Sequence, residues 1–172
     1  YIDGVDTIVR MAVAYGSDIG LDSTSMIKAL LLTQFIGFPA AIVFGRIGEK
    51  IGAKTGIYIA IGIYSAVTVY AYFLNTATEF YGLAICIGLV QGGIQSLSRS
   101  MFSQLIPQDK SGEFFGFYNM MGKFAAVIGP ILIGTVGMVT GNPRLGVLAV
   151  LILFIAGAWF LRGVPESTQA AA

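Results

Sequence analysis

Three runs of this chain place ionisable or amide side chains at helical spacing inside otherwise apolar sequence. Near its start, Asp3, Asp6 and Arg10 lie three and four residues apart and share one helix face. Asp6 and Arg10 can pair along that helix. Asp3 is then a spare carboxylate, suited to a proton or a cationic group. The alternative is a self-neutralising cluster that lowers the cost of insertion into lipid. Further on, Gln91, Gln95, Ser98 and Arg99 fall at 0, 4, 7 and 8 along a second helix, again on one face. This strip can line a solute cavity, or it can bond to neighbouring helices through its amides and glycines. In a third run, Gly116, Asn119, Lys123 and Ala126 share a face. Lys123 lies about three turns inside its helix, too deep to reach the interface easily. An arginine near a bilayer centre costs about 2.5–3.5 kcal/mol on insertion scales, so such a side chain needs water or a partner. Asp3 can be matched by Lys123 or Arg99 across a shared cavity.

The elements that must carry these faces are membrane spans. The chain is 56% hydrophobic and 11% charged, where a soluble domain of ordinary composition has about 25% charged residues. Its mean hydropathy is +0.81. A bilayer core takes about 20 helical residues. Stretches that meet this run over about 24–45, 56–75, 80–103, 114–136 and 145–162, and residues 1–16 form a shorter, partial helix. The fold class is therefore all-α integral membrane, with five full transmembrane helices and one partial. The transmembrane unit occupies 1–163, and 164–172 is expected to be a disordered tail. Since the chain starts at Tyr1, inside a patterned segment, it is expected to lack an N-terminal part, and no cleavable signal peptide is visible. Gly129-Pro130 is expected to kink the fifth helix and Pro39 to bend the second. Gly37, Ala41 and Gly45 form a small-residue face suited to close packing. Tyr58, Tyr64, Tyr70 and Tyr72 are expected as packing or interface residues, and the uniformly apolar sixth helix is expected to face lipid.

Composition excludes several classes. Histidine is absent and Cys86 is the one cysteine, so neither a disulfide nor a thiolate or imidazole metal site is available within the chain. No cofactor is expected. A net charge of +1 argues against nucleic acid as a partner. No nucleophile–base pair is evident, which argues against an enzyme. Arg46, Lys50, Lys54, Arg99, Lys110 and Arg162 gather at one set of helix ends, against Lys28 and Arg144 at the other. By the positive-inside rule the first set, and with it the C-terminus, is cytoplasmic.

Between the second and third spans lies Gly45-Arg46-Ile47-Gly48-Glu49-Lys50-Ile51-Gly52-Ala53-Lys54-Thr55. It resembles the loop signature of the major facilitator superfamily, with glutamate where the pattern usually has aspartate. The runs GLVQGGIQSLSRSMFSQLIP (88–107) and GEFFGFYNMMGKFAAVIGP (112–130), with Tyr1-Ile2-Asp3-Gly4-Val5 and Ile8-Val9-Arg10-Met11, are similar to the C-terminal half of the vacuole-effluxer-like family, bacterial branch. The resemblance covers nearly the whole chain. It implies one six-helix half of a twelve-helix transporter, with alternating access around a central site. The other six-helix half would be its partner, in a bacterial inner membrane. It implies efflux of a small solute, an amino acid in the fungal members. Protons are a further candidate partner through Asp3 or Asp6, because a carboxylate in low dielectric holds its proton more readily. The site residues are then Asp3, Asp6, Arg10, Gln91, Gln95, Arg99, Asn119 and Lys123. A gating role is implied for the loop residues Gly45, Arg46, Glu49, Lys50, Gly52 and Lys54, where the alternative is ordinary topology-setting charge. The rival functions are a membrane assembly module, a channel and a membrane-embedded enzyme.

Overall fold

The computed structural model describes residues 1–18 and 20–165, apart from the side chains of Val13, Tyr15, Glu49 and Pro143. The chain forms α1 (Ile2–Asp18), α2 (Ser23–Ile51), α3 (Ala53–Tyr72), α4 (Ala77–Leu105), a short 3-10 turn (Gln108–Lys110), α5 (Ser111–Ala125), α6 (Ile128–Thr140) and α7 (Pro143–Arg162). Among the described residues there is no strand. Five segments are long and apolar enough to cross a membrane: 23–48, 53–72, 77–105, 108–140 and 144–162. The fourth of these counts α5 and α6 as one span. Helix α1, with 17 residues, is the partial one.

Local chemistry sets the helix starts. Asp22 caps α2, accepting from the Ser25 hydroxyl at 2.6 Å and the Ser25 amide at 3.0 Å. The hydroxyl bond, then the amide bond, holds the Asp22 carboxyl below the usual carboxylate range. Thr76 and Glu79 close a capping box on α4.

Two departures from the expected spans have clear causes. Residues 46–51, expected as loop, continue α2, and Gly52 alone separates α2 from α3. Nothing in that stretch breaks a helix until Gly52, whose φ of 88° is readily reached only by glycine. The fifth span is broken at Ala126 and Val127, just before the expected kink at Gly129-Pro130. Pro130 has no N–H to give and its ring crowds the carbonyl four residues earlier, which is that of Ala126. The chain tightens there, and Val127 N–H turns to the Phe124 carbonyl at 3.3 Å.

Helices α2 and α4 pack through small residues. A Cβ on Gly88 would lie 2.8 Å from the Thr33 carbonyl oxygen, and one on Gly92 would lie 2.5 Å from the Gly37 carbonyl oxygen and 2.9 Å from Ala41 Cβ. Backbones this close bring Thr33 Oγ1 within 2.9 Å of Ala29 O on its own helix and 3.1 Å of Ala84 O across the interface. Gly37 and Ala41 thus do the close packing expected of them. A Cβ on Gly45 would meet nothing within 4 Å; the contact falls instead at Gly48 and Gly56, which both face buried Leu97.

Helices α3 and α7 run antiparallel and are tied at both ends by cations on carbonyls. Lys54 Nζ donates to Arg162 O at 3.2 Å and Val164 O at 2.7 Å, at the C-terminal end of α7. Arg144 donates to Tyr72 O at 3.1 Å and Asn75 Oδ1 at 2.8 Å, at the C-terminal end of α3. Each cation meets carbonyls that have no partner in their own helix, at the negative end of the dipole. Between them, the Tyr64 and Phe154 rings meet at 5.8 Å. Helix α7 therefore buries one side, through Val147, Val150, Phe154 and Leu161, and exposes Ile152, Ile155, Trp159 and Phe160 on the other.

Two predictions follow from this packing. Gly92→Leu overpacks the α2–α4 contact and should lower stability by about 1–3 kcal/mol. Gly82→Leu is the matched control, because nothing lies within 4 Å of a Cβ there. Thermal melting of the full-length protein in detergent reads both, and equal midpoints would refute the contact. Lys54→Ala uncaps α7 and should cost about 1 kcal/mol, whereas Lys50→Ala, at an exposed position, should leave the same melt unchanged.

Candidate functional site

Helix α1 is clasped through small residues, and this sets where its acids lie. Gly4 rests on the Phe154 ring, Gly157 on the backbone of Tyr1, and Gly129 of α6 directly against Thr7. Asp3 is thereby enclosed, with 8% of its surface exposed. Asp6, one turn on, is half-buried, and Arg10 is exposed. The face that the spacing predicts thus runs from the interior to the open.

Helix α4 meets this face. Gln95 Nε2 donates to Asp6 Oδ1 at 3.4 Å. Ser98 Oγ donates to Ile94 O at 2.6 Å, so the Tyr1 hydroxyl is the donor in its 2.7 Å bond to Ser98 Oγ. Gln91 is half-buried and Arg99 is exposed on the same helix. Helix α5 is held to α4 by an aromatic trio, with Phe102 to Tyr118 at 4.6 Å and Phe102 to Phe115 at 5.4 Å. The charges of Arg99 and Asp6 both reach the Tyr118 hydroxyl. No described residue of α5 is buried. Gly116, Asn119 and Lys123 are exposed along it.

Two buried polar atoms make no hydrogen bond among the described residues: Asp3 Oδ2 and the Tyr64 hydroxyl. The other Asp3 oxygen takes a 3.5 Å bond from Thr7 Oγ1. Tyr64 is 1% exposed, and the charge of Asp6 acts on it. Tyr64 is therefore a packing residue, as its type suggests, with a buried hydroxyl that has no hydrogen bond among the described residues. Thr7 carried a sequence signal, since it stands one turn after Asp3 on the same face. Tyr1, Tyr64 and Tyr118 carried none, because their partners lie on other helices.

The structure thus brings Asp6 and Gln95 into contact, with Arg99 exposed one turn beyond Gln95 on the same helix. Asn119 and Lys123 stand on α5 in the open. Of the segment 45–55, Arg46 and Lys50 are exposed on the last turns of α2, Gly52 is the link to α3, and Lys54 is engaged with the end of α7. The Glu49 side chain lies outside the described residues, as do 166–172 of the tail. Among the described residues no group of three His, Cys, Asp or Glu is placed to hold a metal ion. The arrangement offers amide, hydroxyl, carboxylate and guanidinium groups on one side of an apolar bundle. It suits reversible binding of a small polar solute.

The family model described as vacuole effluxer Atg22 like matches residues 1–171. An uncharacterized MFS-type transporter, YxiO, of Bacillus subtilis (strain 168) is 46% identical over 169 residues, covering 98% of this chain and 40% of that protein. Autophagy-related protein 22 of Cryptococcus neoformans var. neoformans serotype D is 26% identical over 170 residues, covering 89% of this chain and 30% of that protein. Autophagy-related protein 22 of Yarrowia lipolytica is 28% identical over 163 residues, covering 89% and 28%. The chain spans 40% or less of the length of these relatives. With five candidate spans it is a multi-pass membrane protein, and it belongs to the vacuole effluxer Atg22-like family.

Proposed function

We propose that this chain is the C-terminal half of a secondary transporter that moves a small polar solute, an amino acid by relatedness, by alternating access. The observation that carries this is the polar side of α1, α4 and α5. There Asp6, Arg10, Gln95, Arg99, Asn119 and Lys123 stand half-buried or exposed within apolar helices. Charges at such depth cannot face acyl chains cheaply, so this side meets water and the remainder of the protein. Relatives more than twice as long as this chain supply such a remainder. The exposed apolar residues of α2, among them Phe35, Phe38 and Ile42, suit lipid.

The solute binds between the two halves, where Asp6 and Arg99 offer opposite charges to an amino and a carboxylate group. Rocking of the halves exposes that site to each side in turn. The ends bearing Arg46, Lys50, Lys54, Lys110 and Arg162 lie in the cytoplasm of a cell-membrane protein, C-terminus inside. The Lys54 bonds to the end of α7 support a common side for these ends. Arg46, Glu49 and Lys50 engage the other half there when the cytoplasmic side closes.

The test is counterflow of a radiolabelled amino-acid mixture by full-length protein in proteoliposomes. Asp6→Asn and Arg99→Gln should each lower the rate by about tenfold or more, the effect of losing one charged contact worth over 1.4 kcal/mol. Wild-type rates in both variants, with melting midpoints unchanged, would remove the site.

A further inference from the structure

Resting on the transport reading, we propose that Asp3, rather than Asp6, is the proton-binding residue that couples this transporter to a pH gradient. The geometry separates the two acids. Asp6 is half-buried, hydrogen-bonded to Gln95, and opens onto the polar side where solute binds. Asp3 sits one turn deeper, enclosed, with Oδ2 free of any hydrogen bond among the described residues. An ionised carboxylate there is met by the long Thr7 bond on Oδ1 and by the Gly129 amide, fewer donors than water would give it. A proton on Oδ2 removes the charge. No solute fits between α1 and α6 there, because Gly129 lies directly against Thr7.

The surroundings supply no fixed counter-charge from the packed helices. On its own helix the nearest charged side chain to Asp3 is Asp6. Helix α6 contributes the Gly129 amide and no titratable side chain. Helix α7 carries arginines only at its two ends, and the nearest α7 residues are Phe154 and Gly157. Arg99 of α4 and Lys123 of α5 are exposed, and Tyr118 of α5 and Tyr64 of α3 feel the charge of Asp6. The charges of α2, Lys28, Arg46 and Lys50, are exposed.

Position links the proton to movement. Asp3 abuts the break between α5 and α6, where Pro130 has removed a backbone bond. Helix α6 packs on α7, whereas α5 has no fully buried residue and is held to α4 through aromatic rings. Ionised, Asp3 attracts the positive N-terminal end of α6 and holds α1 to it. Protonated, it releases that attraction. The proton enters from one side, resides on Oδ2 while the halves rock, and leaves to the other; no bond other than O–H forms or breaks.

The experiment has two arms on the full-length protein. Near neutral pH, infrared difference spectra should show the carbonyl stretch of a protonated carboxyl that is at most weakly hydrogen-bonded. That band should vanish in Asp3→Asn and persist in Asp6→Asn. In proteoliposomes loaded with a pH dye, adding the amino-acid mixture should change luminal pH, and Asp3→Asn should reduce this by about tenfold or more. A band that survives Asp3→Asn, or vanishes only in Asp6→Asn, overturns the proposal. If Asp3→Asn fails to fold, loss of the band in Asp6→Asn overturns it and persistence there supports it. Wild-type counterflow without a pH change defeats the coupling and leaves the transport reading intact. A band without counterflow defeats the transport reading and leaves the protonation site standing.

Discussion

Inside a bilayer a polar group has no solvent to bond to, so each one must be met within the protein or gathered onto a wet surface. Both solutions are present here. Thr33, between α2 and α4, shares its hydroxyl between two carbonyls on facing helices. That bond exists only because Gly88 and Gly92 let the backbones touch. The same need explains the cations at the ends of α3 and α7, which answer carbonyls left over by the helices themselves. On α1, α4 and α5, Asp6, Arg10, Gln95, Arg99, Asn119 and Lys123 are left half-buried or exposed. That side of the bundle is where the proposed transport reading puts the solute.

The break in the fifth span connects these themes. Pro130 costs the span one backbone bond and divides it into α5, held by three aromatic rings, and α6, packed on α7. The enclosed carboxylate of Asp3 stands at that division. The two half-helices thus pack on different neighbours, α4 and α7, with Asp3 near the division.

Much of this was legible in the sequence. Five spans follow from length and hydropathy alone, because lipid demands long apolar runs. The shared faces of Asp3, Asp6 and Arg10, and of Gln91, Gln95 and Arg99, follow from helical spacing. The bond between Asp6 and Gln95 does not follow, since it joins residues 89 positions apart and depends on how α1 and α4 cross. Residues 46–51 read as a loop because they are charged, yet charge at a helix end is cheap when it reaches water, and no residue before Gly52 breaks the helix. Glycines misled in a related way. Gly45 and Gly48 are equivalent by type, and only the position of Leu97 makes Gly48 the contact. Tyr64 read as packing; that its hydroxyl lies within the reach of Asp6 is a property of three helices together.

The central claim is that the polar side of α1, α4 and α5 is wet in the assembled protein. It is tested most directly by single cysteines at Gln95 and Asn119 in full-length protein within membranes, with exposed Cys86 replaced by serine. Both should react with a membrane-impermeant thiol reagent, and a cysteine at Phe38 should not. Unreactive cysteines at 95 and 119, beside a reactive control at the end of a helix, would mean that these helices meet only other helices or lipid, and would contradict the account.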